Sequence, residues 1–270
     1  MPSKTPPQLD ALAAFAVALC DAARPIARRY FRTPVAIEGK QDLSPVTIAD
    51  RTIEQALRRM IGERHPDHGI LGEEEGAERT DAPYVWVIDP IDGTRAFITG
   101  KPTFGTLVAL LFEGRPVVGV VDVSMLGDRW LGVAGRPTLL GDAPARARGC
   151  RRLADAYLST TSPQMFAEPQ EGDAFRRLLG TVKSTVYGGD CFAYGLLSSG
   201  FIDVVCEAGL KPYDYCALIP VIEGAGGRIA DWQGQPLHLG AKGQVVAVGD
   251  QALLELAIDV LRGEGSRARS

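Results

Sequence analysis

At 270 residues, 46% hydrophobic and 23% charged, the chain has the composition of an ordinary globular protein with a sizeable core. A net charge of −4 gives no general drive toward nucleic acid, so an anionic ligand needs local metal or basic groups to attract it. No apolar run reaches the ~20 residues that span a bilayer, and the first residues lack the apolar core of a signal peptide.

Apolar residues at helical spacing predict a first helix over residues 9–31, kinked at Pro25, with Arg24, Arg28, Arg29 and Arg32 on a solvated face. A second helix is expected over 47–61. His65 and His68 follow in a loop whose composition does not favour metal ligation. Residues 72–76, Gly-Glu-Glu-Glu-Gly, form an acidic loop. Runs 106–112 and 116–123 read as a hairpin, with a further strand at 129–134. The segment 141–152, with Arg146, Arg148, Arg151 and Arg152, reads as a surface boundary between halves 8–145 and 146–262. Residues 1–7 and 263–270 are expected to be flexible tails.

The second half alternates. Strands are predicted at 156–160, 182–187, 202–206, 228–230 and 244–248, and helices at 173–179, 190–199, 213–224 and 252–261, with a break or kink at Pro220. This alternation implies a layered α/β half. Cys20, Cys150, Cys191, Cys206 and Cys216 are scattered and lack CxxC spacing, which reads as buried thiols in a reducing compartment, the cytoplasm by default.

The most informative stretch is 86–94. A β-prone run ends in Asp89-Pro90-Ile91-Asp92, then Gly93 permits a tight turn and Thr94 supplies a hydroxyl. Two carboxylates at the end of a buried strand repel each other and need a cation. Glu73-Glu74 and Asp214 are further acidic segments. All-oxygen donors without nearby histidine or cysteine suit Mg²⁺ or Mn²⁺ rather than zinc. For Asp214 alone, after Pro212, a helix cap is the simpler explanation.

The string Asp89-Pro90-Ile91-Asp92-Gly93-Thr94, with Phe97, resembles the first signature of the inositol-monophosphatase-like, Mg²⁺-dependent, lithium-sensitive phosphatases. Gly72-Glu73-Glu74 resembles their acidic loop. Asp214 with Glu223-Gly224-Ala225-Gly226-Gly227 resembles their second signature, and residues 44–50 resemble the segment before their second helix. The resemblance implies an α/β (α+β) fold, a layered αβαβα sandwich of the inositol-monophosphatase/fructose-bisphosphatase type, and a homodimer. It implies metal ligation by Glu73, Asp89, the Ile91 carbonyl, Asp92 and Asp214, with two or three Mg²⁺, Mn²⁺ as a substitute and Li⁺ as an inhibitor. Thr94, hydrogen-bonded by Asp50, would orient the attacking water together with Glu73. Glu74 would stand behind the direct ligands and Lys40 near a further metal or its waters. The Gly93 and Thr94 N–H groups can receive phosphate oxygens. Ser44 stands where many relatives carry an acid, and Tyr213 where many carry tryptophan.

Residues 97–107, 188–194 and 207–214 resemble the histidinol-phosphate phosphatase branch. Asp190 and Glu207 would then face the leaving group beside Asp92. Two carboxylates suit the amine and imidazole of histidinol, whereas a polyol needs no pair of negative charges. The expected function is Mg²⁺-dependent hydrolysis of L-histidinol phosphate, a small phosphate ester, in histidine biosynthesis, without nucleic-acid or membrane partners. Inositol 1-phosphate is the alternative substrate. A phosphoadenosine substrate would favour basic recognition, and a non-catalytic phosphate- or metal-binding protein would not need the Thr94–Asp50 pair.

Overall fold

The computed structural model describes residues 9–34, 37–39 and 45–264. The expectations for Lys40 and Ser44 lie outside these residues. In chain order the first elements are α1 (Leu9–Tyr30), β1 (Ile37–Gly39), β2 (Pro45–Thr47), α2 (Ile48–Arg64), β3 (Gly69–Gly72), β4 (Gly76–Glu78), β5 (Tyr84–Asp92) and α3 (Thr94–Ile98). Then come β6 (Gly105–Phe112), β7 (Arg115–Val123), β8 (Asp128–Val133), β9 (Leu139–Leu140) and β10 (Ala143–Pro144). The remainder comprises β11 (Tyr157–Thr160), α4 (Pro169–Leu179), β12 (Ser184–Tyr187), α5 (Asp190–Ser198), β13 (Val204–Glu207), α6 (Pro212–Tyr215), α7 (Leu218–Gly224), β14 (Arg228–Ala230), β15 (Val245–Val248) and α8 (Ala252–Arg262).

Among the described residues, strands β3–β10 form an eight-stranded sheet and β11–β15 a five-stranded one, so the chain changes sheet between Pro144 and Tyr157. The central strands β5, β6 and β7 of the larger sheet are buried on both faces, which is why they read as nearly continuous apolar runs. On β5, Trp86 and Ile88 pack with α1 and α2, while Val85 and Val87 face a second core shared with α5, α6 and α7. Val245 and Ala247 of β15 close that core from the five-stranded sheet. Val246 and Val248 pack on the other side with α4 and α8. The order is thus helix, sheet, helix, sheet, helix, the layering expected from the resemblance.

Local departures from the sequence pattern have simple causes. Thr47 caps α2 rather than opening it, its Oγ1 accepting the Ala49 N–H at 3.1 Å. The helix expected over 213–224 is two helices, because Pro220 has no N–H to donate to the Cys216 carbonyl four residues earlier. The helical period of residues 9–31 is borne out, and α1 runs through Pro25. Of the four arginines expected on a solvated face, Arg28, Arg29 and Arg32 are exposed and Arg24 is half-buried, and all but Arg29 also reach a hydrogen-bond partner across the fold. Arg24 pairs with Asp122 at 2.5 Å, Arg28 donates to the Ser124 carbonyl, and Arg32 donates to the Gly100 carbonyl at 2.8 Å. In the boundary segment, Arg148 pairs with the buried Asp203.

Asp122 is fully buried and also accepts from Arg129 Nε at 2.6 Å, so a single carboxylate ties α1 to β7 and β8. Asp122→Asn keeps the shape but removes the charge. It is expected to lower unfolding stability by about 1.5–3 kcal/mol, read as a shift in urea midpoint without loss of fold.

His65 and His68 belong to an aromatic stack. Their rings lie 4.5 Å apart, Phe15 meets His65 at 4.9 Å, and Trp86 Nε1 donates to His68 Nδ1 at 3.0 Å. That bond uses the nitrogen a metal would need.

Candidate active site

The site begins with a strand irregularity. In the β5–β6 pairing, Asp89 lies opposite Leu107 but Asp92 lies opposite Gly105, so three steps on β5 match two on β6. With a period of two, Asp89 and Asp92 would face opposite sides of the sheet. The extra residue of the bulge returns Asp92 to the face Asp89 uses. Pro90, which cannot donate to a ladder, sits in the bulge, and its carbonyl accepts from Thr106 Oγ1 at 2.8 Å. Ile91 turns into the α1/α2 core.

Asp214 approaches from α6. Its Oδ2 accepts the Lys211 N–H at 2.6 Å, so the cap suggested by the sequence exists and fixes the side chain. One oxygen each from Asp89, Asp92 and Asp214 lies within 4.8 Å of the others. Burial, then the charges of Glu73, Asp92 and Asp214, push Asp89 well above the usual carboxylate range. Burial, then Asp190 and Asp214, do the same to Asp92, and burial raises Asp214 to about 7. Such crowding is unfavourable without a cation. Asp89 Oδ1 is moreover buried with no hydrogen-bond partner. The neighbouring Cys191 thiol is pushed far up by burial and by Asp92, so it stays protonated and is a poor ligand. The donor set therefore fits a hard divalent cation.

Glu73 stands at the end of β3, its N–H donating to the Ile88 carbonyl at 3.2 Å, one residue before Asp89. Glu74 follows, half-buried. Gly93 adopts φ 83° and caps α3. The structure departs from expectation at Thr94, whose hydroxyl donates to the Ile91 carbonyl at 3.1 Å and not to Asp50. Asp50 is drawn instead into a capping box, accepting from Thr47 N at 2.8 Å and Thr47 Oγ1 at 2.6 Å. Its Oδ1 is left buried without a partner, and burial raises its pKa to about 6.

The second half contributes a cavity of about 120 Å³, lined by Asp92, Thr161, Asp190, Tyr194, Glu207 and Asp214 among others. It opens beyond the carboxyl ends of the parallel pairs β11–β12 and β11–β13, where open α/β sheets leave a crevice. Glu207 is buried rather than exposed. Its Oε1 accepts the Thr161 N–H and its Oε2 the Tyr194 hydroxyl, each at 2.8 Å. Asp190 begins α5 with a left-handed φ of 45°, costly for a non-glycine residue. Its carboxylate accepts from Thr103 Oγ1 at 3.0 Å, while Cys191 N donates to Asp92 at 2.6 Å. A Cβ on Gly93 would stand 2.8 Å from Asp190 Cγ, so the two halves touch there. Thr103, Thr161 and Tyr194 were not singled out in the sequence. Thr103 and Tyr194 lie inside the stretches 97–107 and 188–194 quoted for the branch resemblance, but their residue types alone announce no role, and strand and helix register brings all three here.

The raised carboxylates make the metal-free protein sensitive to alkali. A group whose folded pKa lies above its unfolded value stabilises below the unfolded value, near 3.8, and loses that contribution as pH rises through the folded one, about 7 for Asp214. In chelator, the melting temperature is expected to be lower at pH 8 than at pH 6, and added Mg²⁺ is expected to remove the difference.

Comparison with known proteins agrees with this arrangement. Residues 8–265 match the inositol monophosphatase family. The bifunctional phosphatase IMPL2 (chloroplastic) of Arabidopsis thaliana is 48% identical over 263 residues, 94% of this chain and 76% of that protein. A histidinol-phosphatase of Mycobacterium tuberculosis is 36% identical over 225 residues, 81% of this chain and 86% of its own. A solved inositol monophosphatase from Zymomonas mobilis superposes with a TM-score of 0.87 at 44% identity, covering 95% of this chain and 100% of that one. With its signatures converging on one carboxylate cluster, the chain belongs to the inositol monophosphatase family, the phosphatases that act on small phosphate esters.

Proposed function

We propose that this phosphatase hydrolyses L-histidinol phosphate to L-histidinol and phosphate, with Mg²⁺ held by Glu73, Asp89, the Ile91 carbonyl, Asp92 and Asp214. When bound, Mg²⁺ supplies Lewis acidity, lowers the pKa of water and neutralises charge on the phosphoryl oxygens. The N–H groups of Gly93 and Thr94 receive phosphate oxygens. Thr94 Oγ1 commits its proton to the Ile91 carbonyl, which leaves its lone pairs to accept a hydrogen from the attacking water. Glu73 accepts the other.

The observation that carries the substrate reading is the second pair of carboxylates. Asp190 and Glu207 line the same cavity as Asp92 and Asp214. If the phosphate sits over Asp92 and Asp214, the alcohol fragment lies against Asp190 and Glu207, an environment for a cation rather than a polyol. Each carboxylate oxygen has a further lone pair for a substrate N–H. The 36% identical relative named a histidinol-phosphatase supports the same reading. Phosphate release from L-histidinol phosphate and from inositol 1-phosphate, measured side by side with Mg²⁺, tests it. Preference for histidinol phosphate is expected. Turnover of inositol 1-phosphate alone would replace the substrate and keep the chemistry.

A further inference from the structure

Glu54 was not singled out in the sequence, where a helix glutamate four residues before an arginine reads as an ordinary surface pair. In the fold it is fully buried, on the same side of α2 as Asp50 one turn earlier. Its Oε2 accepts the Glu74 N–H at 2.8 Å. Its Oε1 accepts the Glu75 N–H at 3.0 Å and the Arg58 Nε at 2.8 Å. Arg58 in turn donates to the Gly76 carbonyl at 2.5 Å. A Cβ on Gly72 would come within 2.0 Å of Glu54 Oε1, so the loop passes directly over the carboxylate. Glu73 is therefore held from both sides: its own N–H on Ile88 of β5, and the two following N–H groups on Glu54.

We propose that Glu54, braced by Arg58, is a positioning residue that fixes the 72–76 loop so that Glu73 meets the metal opposite Asp89. The inference rests on the metal-binding reading above, although not on the identity of the substrate. A carboxylate is the group this place needs, because it accepts two backbone N–H bonds and one guanidinium bond without donating. Its charge is balanced by Arg58 inside the fold, so it adds no further repulsion to the cluster. Glutamine at 54 has a single acceptor oxygen, and its amide N–H groups face the N–H donors of the loop. Glu73 then loses its fixed place while every direct ligand remains.

The test is Glu54→Gln in the full chain, with Mg²⁺ binding to the metal-free protein followed by calorimetry, alongside thermal melting and the Mg²⁺ dependence of phosphate release. Groups that support metal ligands typically contribute roughly 10–100-fold in affinity. Mg²⁺ affinity is expected to fall by about tenfold, with kcat recovered at saturating Mg²⁺ and substrate KM little changed. A lowered melting temperature with unchanged Mg²⁺ affinity would make Glu54 a fold residue only and overturn the proposal. If Glu54→Gln does not fold, Arg58→Lys carries the same reading, since it gives up the guanidinium brace on Gly76 and keeps a positive charge beside the buried carboxylate. Wild-type protein that binds Mg²⁺ but releases no phosphate from either ester would end the functional reading, while the calorimetric comparison would still decide the role of Glu54.

Discussion

Asp89→Asn is expected to abolish phosphate release while the protein remains folded and, in chelator, becomes more stable than the parent. Both effects have one cause. Asp89 is buried among Glu73, Asp92 and Asp214, and its Oδ1 has no hydrogen-bond partner. Without a cation, its charge is a burden on the fold, and neutralising it relieves that burden. On the proposed reading, with a cation the same charge becomes part of the grip, and an amide cannot replace it. A bound metal stabilises phosphoryl charge by several kcal/mol, so loss of a central ligand corresponds to a rate reduction of roughly a thousandfold or more. The measurement is paired: turnover at saturating Mg²⁺, and melting temperature with and without Mg²⁺. The parent should gain stability on adding Mg²⁺ and the variant should gain little. A variant with near-parental turnover would remove Asp89 from the ligand set.

The second large effect concerns selection. The double variant Asp190→Asn, Glu207→Gln removes both charges proposed to face the alcohol fragment and nearly preserves shape. Each charge-assisted hydrogen bond contributes about 1.5–3 kcal/mol, so the pair corresponds to a loss of roughly a thousandfold in kcat/KM for L-histidinol phosphate. A small neutral phosphomonoester should be affected far less. The internal bonds can adapt, since Thr103 and Tyr194 hydroxyls can reverse from donor to acceptor. Equal losses on both esters would show that the two residues support the fold of the site and do not choose the substrate.

The carboxylate cluster was legible in the sequence because two of its three members, Asp89 and Asp92, fall in one nine-residue stretch. Asp89, Asp92, Gly93 and Thr94 are neighbours in the chain, and their chemistry survives without knowledge of the fold. Asp214 was readable only through resemblance, since a carboxylate after Pro212 is equally a helix cap, and it proves to be both cap and cluster member. The resemblance also supplied the Thr94–Asp50 bond, which the fold replaces. Thr47 stands three residues before Asp50, so the local capping box takes the carboxylate that was assigned to a long-range role. Arg24 shows the same limit from the other side. Helical spacing alone placed it in solvent, and it could not announce a buried Asp122 nearly a hundred residues away. Glu54 was hidden for a related reason: besides Arg58, its partners are the backbone N–H groups of Glu74 and Glu75, which no residue type advertises.

The close approach of Gly93 to Asp190 limits how such an enzyme can diverge. The glycine required by the turn at φ 83° is also the floor on which the Asp190 carboxylate rests, with no room for one more carbon between them. A change of substrate at position 190 must therefore be made with a side chain that fits over a bare backbone, in a left-handed conformation that few residues accept. Short acceptors such as asparagine can occupy that seat, and branched side chains cannot. New specificities should accordingly be easier to reach by altering Met165 or Leu210, which line the same cavity, than by altering Asp190 itself or Thr161, whose hydroxyl accepts the Asp190 N–H at 3.1 Å.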